Sequence, residues 1–189
     1  MASRKGIGRF PAYGQVAACM AVVLVGLATC SDALAQTRGS WNVDADGLWS
    51  LNTNWLNNTI AGGVTGTATF ANNITATRTV TLDTARSLGS FIFGDADTSS
   101  AASWIVSGTA PMTMNNGANS ATITVNALGT GATVTISSTL TDTGTTPSII
   151  KNGVGTLVLA GTNNFTTKLA ISSGTCLLYT SDAADDTPC

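Results

Sequence analysis

From Thr67 to Ile171 the chain repeats one unit: three or four residues alternating between apolar and small polar side chains, then a turn of Gly, Asn, Asp or Ser. Thr67–Phe70 begins the series, and Thr79-Val80-Thr81-Leu82, Ser90-Phe91-Ile92-Phe93 and Ser103-Trp104-Ile105-Val106 continue it. Met112-Thr113-Met114, Ile123-Thr124-Val125 and Val134-Thr135-Ile136 follow, and the pairs Leu157/Leu159 and Leu169/Ile171 close it. Period-two alternation bounded by turn residues is the pattern of a half-buried strand. Starts fall about eight to thirteen residues apart, and beyond the N-terminal segment no stretch carries a helical period. The chain is therefore read as all-β.

Strand spacing alone suits a β-sandwich or a solenoid. Three features favour the solenoid. The strands are very short, and Thr, Ser and Asn fill the outward positions. Apart from Asn116-Gly117 and Asn152-Gly153, the turns also lack the Asn-Gly pairs of tight hairpins. In a parallel β-helix each coil supplies two or three such strands, and like positions align as coils stack. The 23 positions from Val134/Ile136 to Leu157/Leu159 predict one coil.

The clearest unit is Lys151–Thr175, with strands predicted over Thr156–Ala160 and Lys168–Ser172 and a turn at Gly161-Thr162-Asn163-Asn164. Its Gly153–Thr175 run, GVGTLVLAGTNNFTTKLAISSGT, resembles the passenger-associated repeat of bacterial autotransporters. Gly153, Gly155, Thr156, Leu157, Leu159, Gly161, Asn163, Phe165, Thr166, Gly174 and Thr175 carry the likeness. Thr167-Lys168 stand where that family has Gly, and Cys176 replaces the Leu that follows its final Gly-Thr. The Trp41, Trp49, Asn54-Trp55 opening is also similar to the entry of large secreted proteins with these repeats. The resemblance implies a right-handed β-helical passenger with an N-terminal aromatic cap, exported to the cell surface and normally followed by a C-terminal translocator barrel.

The ends of the chain are read apart from the solenoid. Arg4, Lys5 and Arg9 precede an apolar run over Val16–Leu27, and Ala33-Leu34-Ala35 before Gln36 has the small-x-small form of a signal peptidase site. Residues 1–35 are thus expected to be a secretory signal peptide cleaved between Ala35 and Gln36, leaving no membrane span. The run is too short to span a bilayer comfortably. Leu27–Cys30 resembles a lipobox, but Thr29 stands where such motifs have a smaller residue.

At the other end, Cys176–Asp186, CLLYTSDAADD, is the in-frame translation of the insertion end of a transposase-based sequencing library. Residues 176–189 are accordingly expected to be adaptor read-through, and 36–175 the natural solenoid. Cys19 and Cys30 fall in the signal segment and Cys176 and Cys189 in the tail, so no disulfide framework is expected.

Between Gln36 and Thr175 five Lys or Arg oppose six Asp, with no Glu and no His. Without a basic patch, nucleic acid is not an expected partner. Without His there is no ordinary base for a nucleophilic triad and no zinc ligand set, so no enzyme activity and no cofactor are expected. Asp95 and Asp97 are a formal carboxylate pair, placed by their surroundings in a solvated turn.

Asn42-x-Asp44-x-Asp46-Gly47 matches the first half of a Ca²⁺ loop, but Thr53 stands where the completing acid belongs. An Asp-Gly turn is the better reading, with Asn42, Asp44 and Asp46 as a weak calcium candidate. The tryptophans are expected to cap the first coil; the competing reading is a stacking platform for sugar rings. Asn57, Asn73 and Asn164 head Asn-x-Thr triplets that read as turn composition.

The function expected is a structural or adhesin-like surface column touching glycans or host or neighbouring cells. The alternative is a β-helical carbohydrate-binding or carbohydrate-active protein with its groove beyond this sequence.

Overall fold

The computed structural model describes residues 36–143 and 149–179. Residues 1–35, including Ala35 of the expected cleavage site, residues 144–148 and residues 180–189 lie outside the described residues. Every strand pairing between the named strands is parallel, and short strands stack in three sheets. The fold is a parallel β-helix, and the sandwich alternative is set aside.

The chain climbs in coils. The first holds β1 (Arg38–Ser40) and β2 (Gly47–Leu48), then two single-turn 3-10 helices, Asn52–Asn54 and Leu56–Asn58. The second holds β3 (Thr67–Phe70), β4 (Arg78–Thr81) and β5 (Arg86–Leu88), and the third β6 (Ser90–Phe93), β7 (Trp104–Ser107) and β8 (Met112–Met114). The fourth is β9 (Ala121–Val125), β10 (Thr133–Ile136) and β11 (Leu140–Asp142), and the fifth β12 (Ile149–Asn152), β13 (Thr156–Leu159) and β14 (Asn163–Asn164). β15 (Leu169–Ile171) and β16 (Thr175–Leu178) begin a sixth.

The first sheet runs β1-β3-β6-β9-β12-β15, the second β2-β4-β7-β10-β13-β16 and the third β5-β8-β11-β14. Val134 lies opposite Leu157 and Ile136 opposite Leu159, which is the predicted 23-position coil. Other coils depart from that length: Thr156 meets Thr175 after 19 positions, while Gly47 meets Val80 after 33. The turns absorb the difference.

Alternation decides which side chains fill the interior. Val80, Val106, Ile136 and Leu159 form one inward column, and Trp104, Val134 and Leu157 another, all buried. Phe70, Phe93 and Val125 align in the first sheet. Two expectations change in detail. The predicted turn over 161–164 contains the two-residue strand β14, and Cys176–Leu178 continue β16 past Thr175 in register with β13. Cys176 and Leu178 keep the inward parity of Leu157 and Leu159, so these tail residues satisfy the alternation that a coil demands.

Candidate functional site

The tryptophans occupy the first coil and face inward. Trp41, Trp49 and Trp55 are at most 2% exposed. Trp41 and Trp55 meet edge to face at 5.3 Å, Trp49 and Trp55 at 4.9 Å, and Phe70 stacks on Phe93 at 5.1 Å. Trp55 Nε1 donates to Trp49 O at 2.8 Å and Trp49 Nε1 to Ala61 O at 3.1 Å, so two indoles satisfy their polar edge inside the cluster. No ring face is available to a sugar, and the stacking-platform reading is corrected: burial has consumed those surfaces.

The segment from Asn54 to Gly62 runs back against the outer edge of β1, bridging antiparallel at Trp41–Trp55 and Thr37–Gly62. Thr37 N–H donates to Gly62 O at 2.7 Å, and Asn42 N–H to Asn54 O at 2.8 Å. Asn54 Nδ2 also donates to Leu48 O at 3.0 Å at the end of β2. A Cβ at Gly39 would stand 2.9 Å from the Trp55 ring and closer still to the Ala61 and Thr59 backbone, so this segment plugs the interior. The aromatic residues are a cap, with the edge of β1 covered as edge strands require.

Five of the six aspartates among the described residues act between coils. Asp44 accepts from Arg78 Nε at 2.6 Å and from Thr75 Oγ1 at 2.7 Å, and Asp46 accepts from Thr79 N–H at 2.7 Å. These bonds hold the Asp44 carboxyl at about 2, against an ordinary 3.8, the Arg78 guanidinium contributing most and Thr75 next. Asp83 returns the tie, accepting from Ser50 N–H at 3.1 Å and from the Ser50 hydroxyl. Asp95 takes Ile74 N–H at 3.3 Å, while Asp97 serves Ser99 in its own turn. Asp142 receives the N–H groups of Thr166 and Thr167 at 3.1 and 2.9 Å, and both hydroxyls. Burial would raise its pKa, but those bonds outweigh it and pull it well below the usual carboxylate range.

The calcium candidate is thus placed in a different role. Asp44 and Asp46 are turned toward Arg78, Thr75 and Thr79 of the second coil, in keeping with the Asp-Gly turn reading. Among the described residues no three His, Cys, Asp or Glu gather as metal ligands. Asp95 and Asp97 likewise sit in their turn, occupied by backbone donors.

Each residue of the repeat motif has a stacking task. Leu157 and Leu159 are fully buried, and Phe165 packs against the core from its margin. Thr156 lies between Thr133 and Thr175 on the outer face of the second sheet. Asn163 Nδ2 donates to Gly161 O at 2.8 Å, closing the corner before β14, and Thr166 reaches Asp142 of the coil below.

Gly153 and Gly174 turn the same corner in successive coils with φ of 79° and 74°, a region that disfavours a Cβ. A side chain at Gly153 would also collide with the Val125 carbonyl, and one at Gly174 with the Gly153 carbonyl. Gly155 and Gly161 pass similarly close to the Asn126 and Ser138 backbones.

One residue in this coil has a role the sequence reading missed. Lys151 is fully buried, in the inward column that contains Phe91 and Ile123. Its Nζ donates to the carbonyls of Asn152 at 2.9 Å, Gly153 at 2.8 Å and Ser173 at 3.1 Å. The amine thereby ties the fifth-coil corner to the sixth. Burial pushes its pKa below the ordinary lysine value, opposed by the nearby Cys176 thiol, whose own pKa burial raises. The parity of Ile149-x-Lys151 pointed inward and was the available signal.

The lateral faces carry hydroxyl columns. Ser90 and Thr122 meet at 2.8 Å and Thr113 and Thr141 at 3.2 Å, and Ser87, Thr113, Thr141 and Asn164 align along the third sheet. Gln36, at the expected mature terminus, is exposed and donates to Thr65 O at 3.4 Å. Among the described residues no helix is long and apolar enough to cross a membrane. No protein-family model, curated protein or solved structure matches this chain. The site supported by geometry is therefore the column itself: a plugged first coil, aspartate ties between coils, and a repeat whose residues serve stacking.

Proposed function

We propose that this chain is the stem-forming part of an exported bacterial surface protein, an adhesin-like passenger of the autotransporter type, with no catalysis in this stretch. The observation that carries the reading is the Lys151–Thr175 coil. Each motif residue that resembles the passenger repeat has a stacking or corner task, and none is left over as a reacting group. Partners are surface glycans or the surfaces of host or neighbouring cells, met through lateral faces rich in Thr and Ser. On this reading residues 176–189 are adaptor sequence, and a protein of the passenger type would be completed by a C-terminal translocator barrel.

Two measurements test this. Expression of the full chain in a Gram-negative host should yield a mature N-terminus at Gln36 and protein outside the cytoplasm; an unprocessed cytoplasmic product would overturn it. Resequencing the source locus past Thr175 should replace CLLYTSDAADD with further G-x-GTL-x-L coils and a terminal amphipathic barrel. A compact ending with clustered carboxylates and Lys or Arg would instead identify the carbohydrate-active alternative.

A further inference from the structure

Thr37 anchors the start of the column. Its N–H donates to Gly62 O at 2.7 Å and Gly62 N–H returns to Thr37 O at 3.3 Å. That pair is one of the two bridges that fasten residues 54–62 over the interior. Gln36, one position earlier, lies outside the bridge and is exposed. Its Nε2 donates to Thr65 O at 3.4 Å, a long bond in solvent that leaves the side chain able to turn. Neither residues 37–43 nor residues 47–77, which hold Gly62 and Thr65, contain an Asp or Glu, and Arg38 stands two positions on. An ammonium at residue 36 would therefore find no carboxylate in those stretches.

We infer that Gln36 is a modification site: as the mature terminus it closes on itself to a pyroglutamyl lactam that seals this end of the chain. The inference rests on the cleavage proposed above. The unprotonated α-amine, whose ordinary pKa is about 8, attacks the side-chain Cδ. The N–Cδ bond forms, the Cδ–Nε2 bond breaks, and Nε2 leaves as ammonia with a proton from the amine, so no other reactant enters. Closing the five-membered ring takes only rotation about side-chain bonds, which the exposure of Gln36 permits while the Thr37 bridge stays in place. The product carries no terminal charge. It also lacks the free amine that an aminopeptidase requires. Termini are where proteolysis concentrates. Here the loss of Gln36 would bring Thr37 next, and with it the Thr37–Gly62 bonds that hold the plug.

The test is tandem mass spectrometry of the N-terminal peptide of the full chain after expression in a Gram-negative host and incubation at neutral pH. Stepwise N-terminal sequencing runs beside it, before and after treatment with a pyroglutamyl peptidase. The companion variant is Gln36→Asn, which keeps the amide but could close only a strained four-membered ring. The native terminus should weigh one ammonia less than the Gln36 peptide, resist sequencing and aminopeptidase, and read from Thr37 once the pyroglutamyl peptidase has acted. Gln36→Asn should give a readable terminus that the aminopeptidase removes, with tryptophan fluorescence unchanged because the altered side chain is exposed. A native Gln36 terminus that keeps its free amine, or a block shared by the variant, would overturn the inference and leave the proposed cleavage standing. A product that retains residues 1–35 would overturn both, and its mass distinguishes the two failures.

Discussion

Asp44 Oδ1 in the first coil stands 2.6 Å from Arg78 Nε in the second, so the one ion pair among the described residues joins two successive layers of the column. Because the bonds from Arg78 and Thr75 lower the Asp44 pKa from 3.8 to about 2, the unfolded chain binds the proton more readily than the folded one. The stabilisation is complete above about pH 4 and is lost as pH falls through 2. Melting temperature should therefore drop on acidification across that window, and Asp44→Asn should flatten part of the drop while lowering stability at pH 7. An acid limb identical in the variant would show that the pair contributes nothing. Salt should weaken the effect, since both side chains are partly exposed.

Phe70 touches Trp41, Trp49, Trp55, Phe91, Phe93 and Trp104, and no water reaches it. Phe70→Ala leaves a cavity that so many rigid rings cannot close, with an expected loss of about 3–5 kcal/mol by urea denaturation. The near-ultraviolet circular dichroism of the tryptophans should diminish with it. A loss under about 1 kcal/mol, typical of exposed positions, would refute the central role given to this ring.

Lys151→Met retains an aliphatic stem of similar length but leaves the carbonyls of Asn152, Gly153 and Ser173 without the amine. The expected cost is about 1–3 kcal/mol, because buried acceptors lose their partner. The change should concentrate in amide protection around Ser172 and Thr175, the sixth-coil side of the tie. A Met variant as stable as the native chain would show that packing of the stem, and not the amine, is what that position requires.

Val134 and Ile136 are fully buried in the fourth coil, whereas Leu169 is only partly covered and Ile171 is exposed in the sixth. The amides of Leu169 and Ile171 should exchange faster than those of Val134 and Ile136. Equal rates would show that the sixth coil is as well protected as the fourth despite its exposed side chains.

Much of this architecture was readable from residue alternation. Thr67–Phe70, Ser90–Phe93 and Met112–Met114 form strands over the expected residues, because each alternates cleanly between Thr or Ser and a large apolar side chain. Among the strands that escaped notice, Arg86–Leu88, Leu140–Asp142 and Asn163–Asn164 have two or three residues and no measurable period, while the four-residue Ile149–Asn152 was hidden by the lysine at its inward position. Their positions are imposed by the layers they lie on, which is tertiary information. The aspartate ties were illegible for a related reason: Asp44 and Arg78 are 34 positions apart, as are no two residues of a local motif. Lys151 was countable as a surface charge only while its parity was ignored.

The plug over the first coil gives the column a polarity like that of a filament with one blocked tip. Away from the plug each turn rests on the corner and the inward columns of the one before, as Gly174 rests on Gly153 and Cys176 on Leu157. Tandem duplication of a single coil can therefore lengthen the stem without any change to the tryptophans that close its base. Reach becomes a matter of copy number, and the aromatic base is built once.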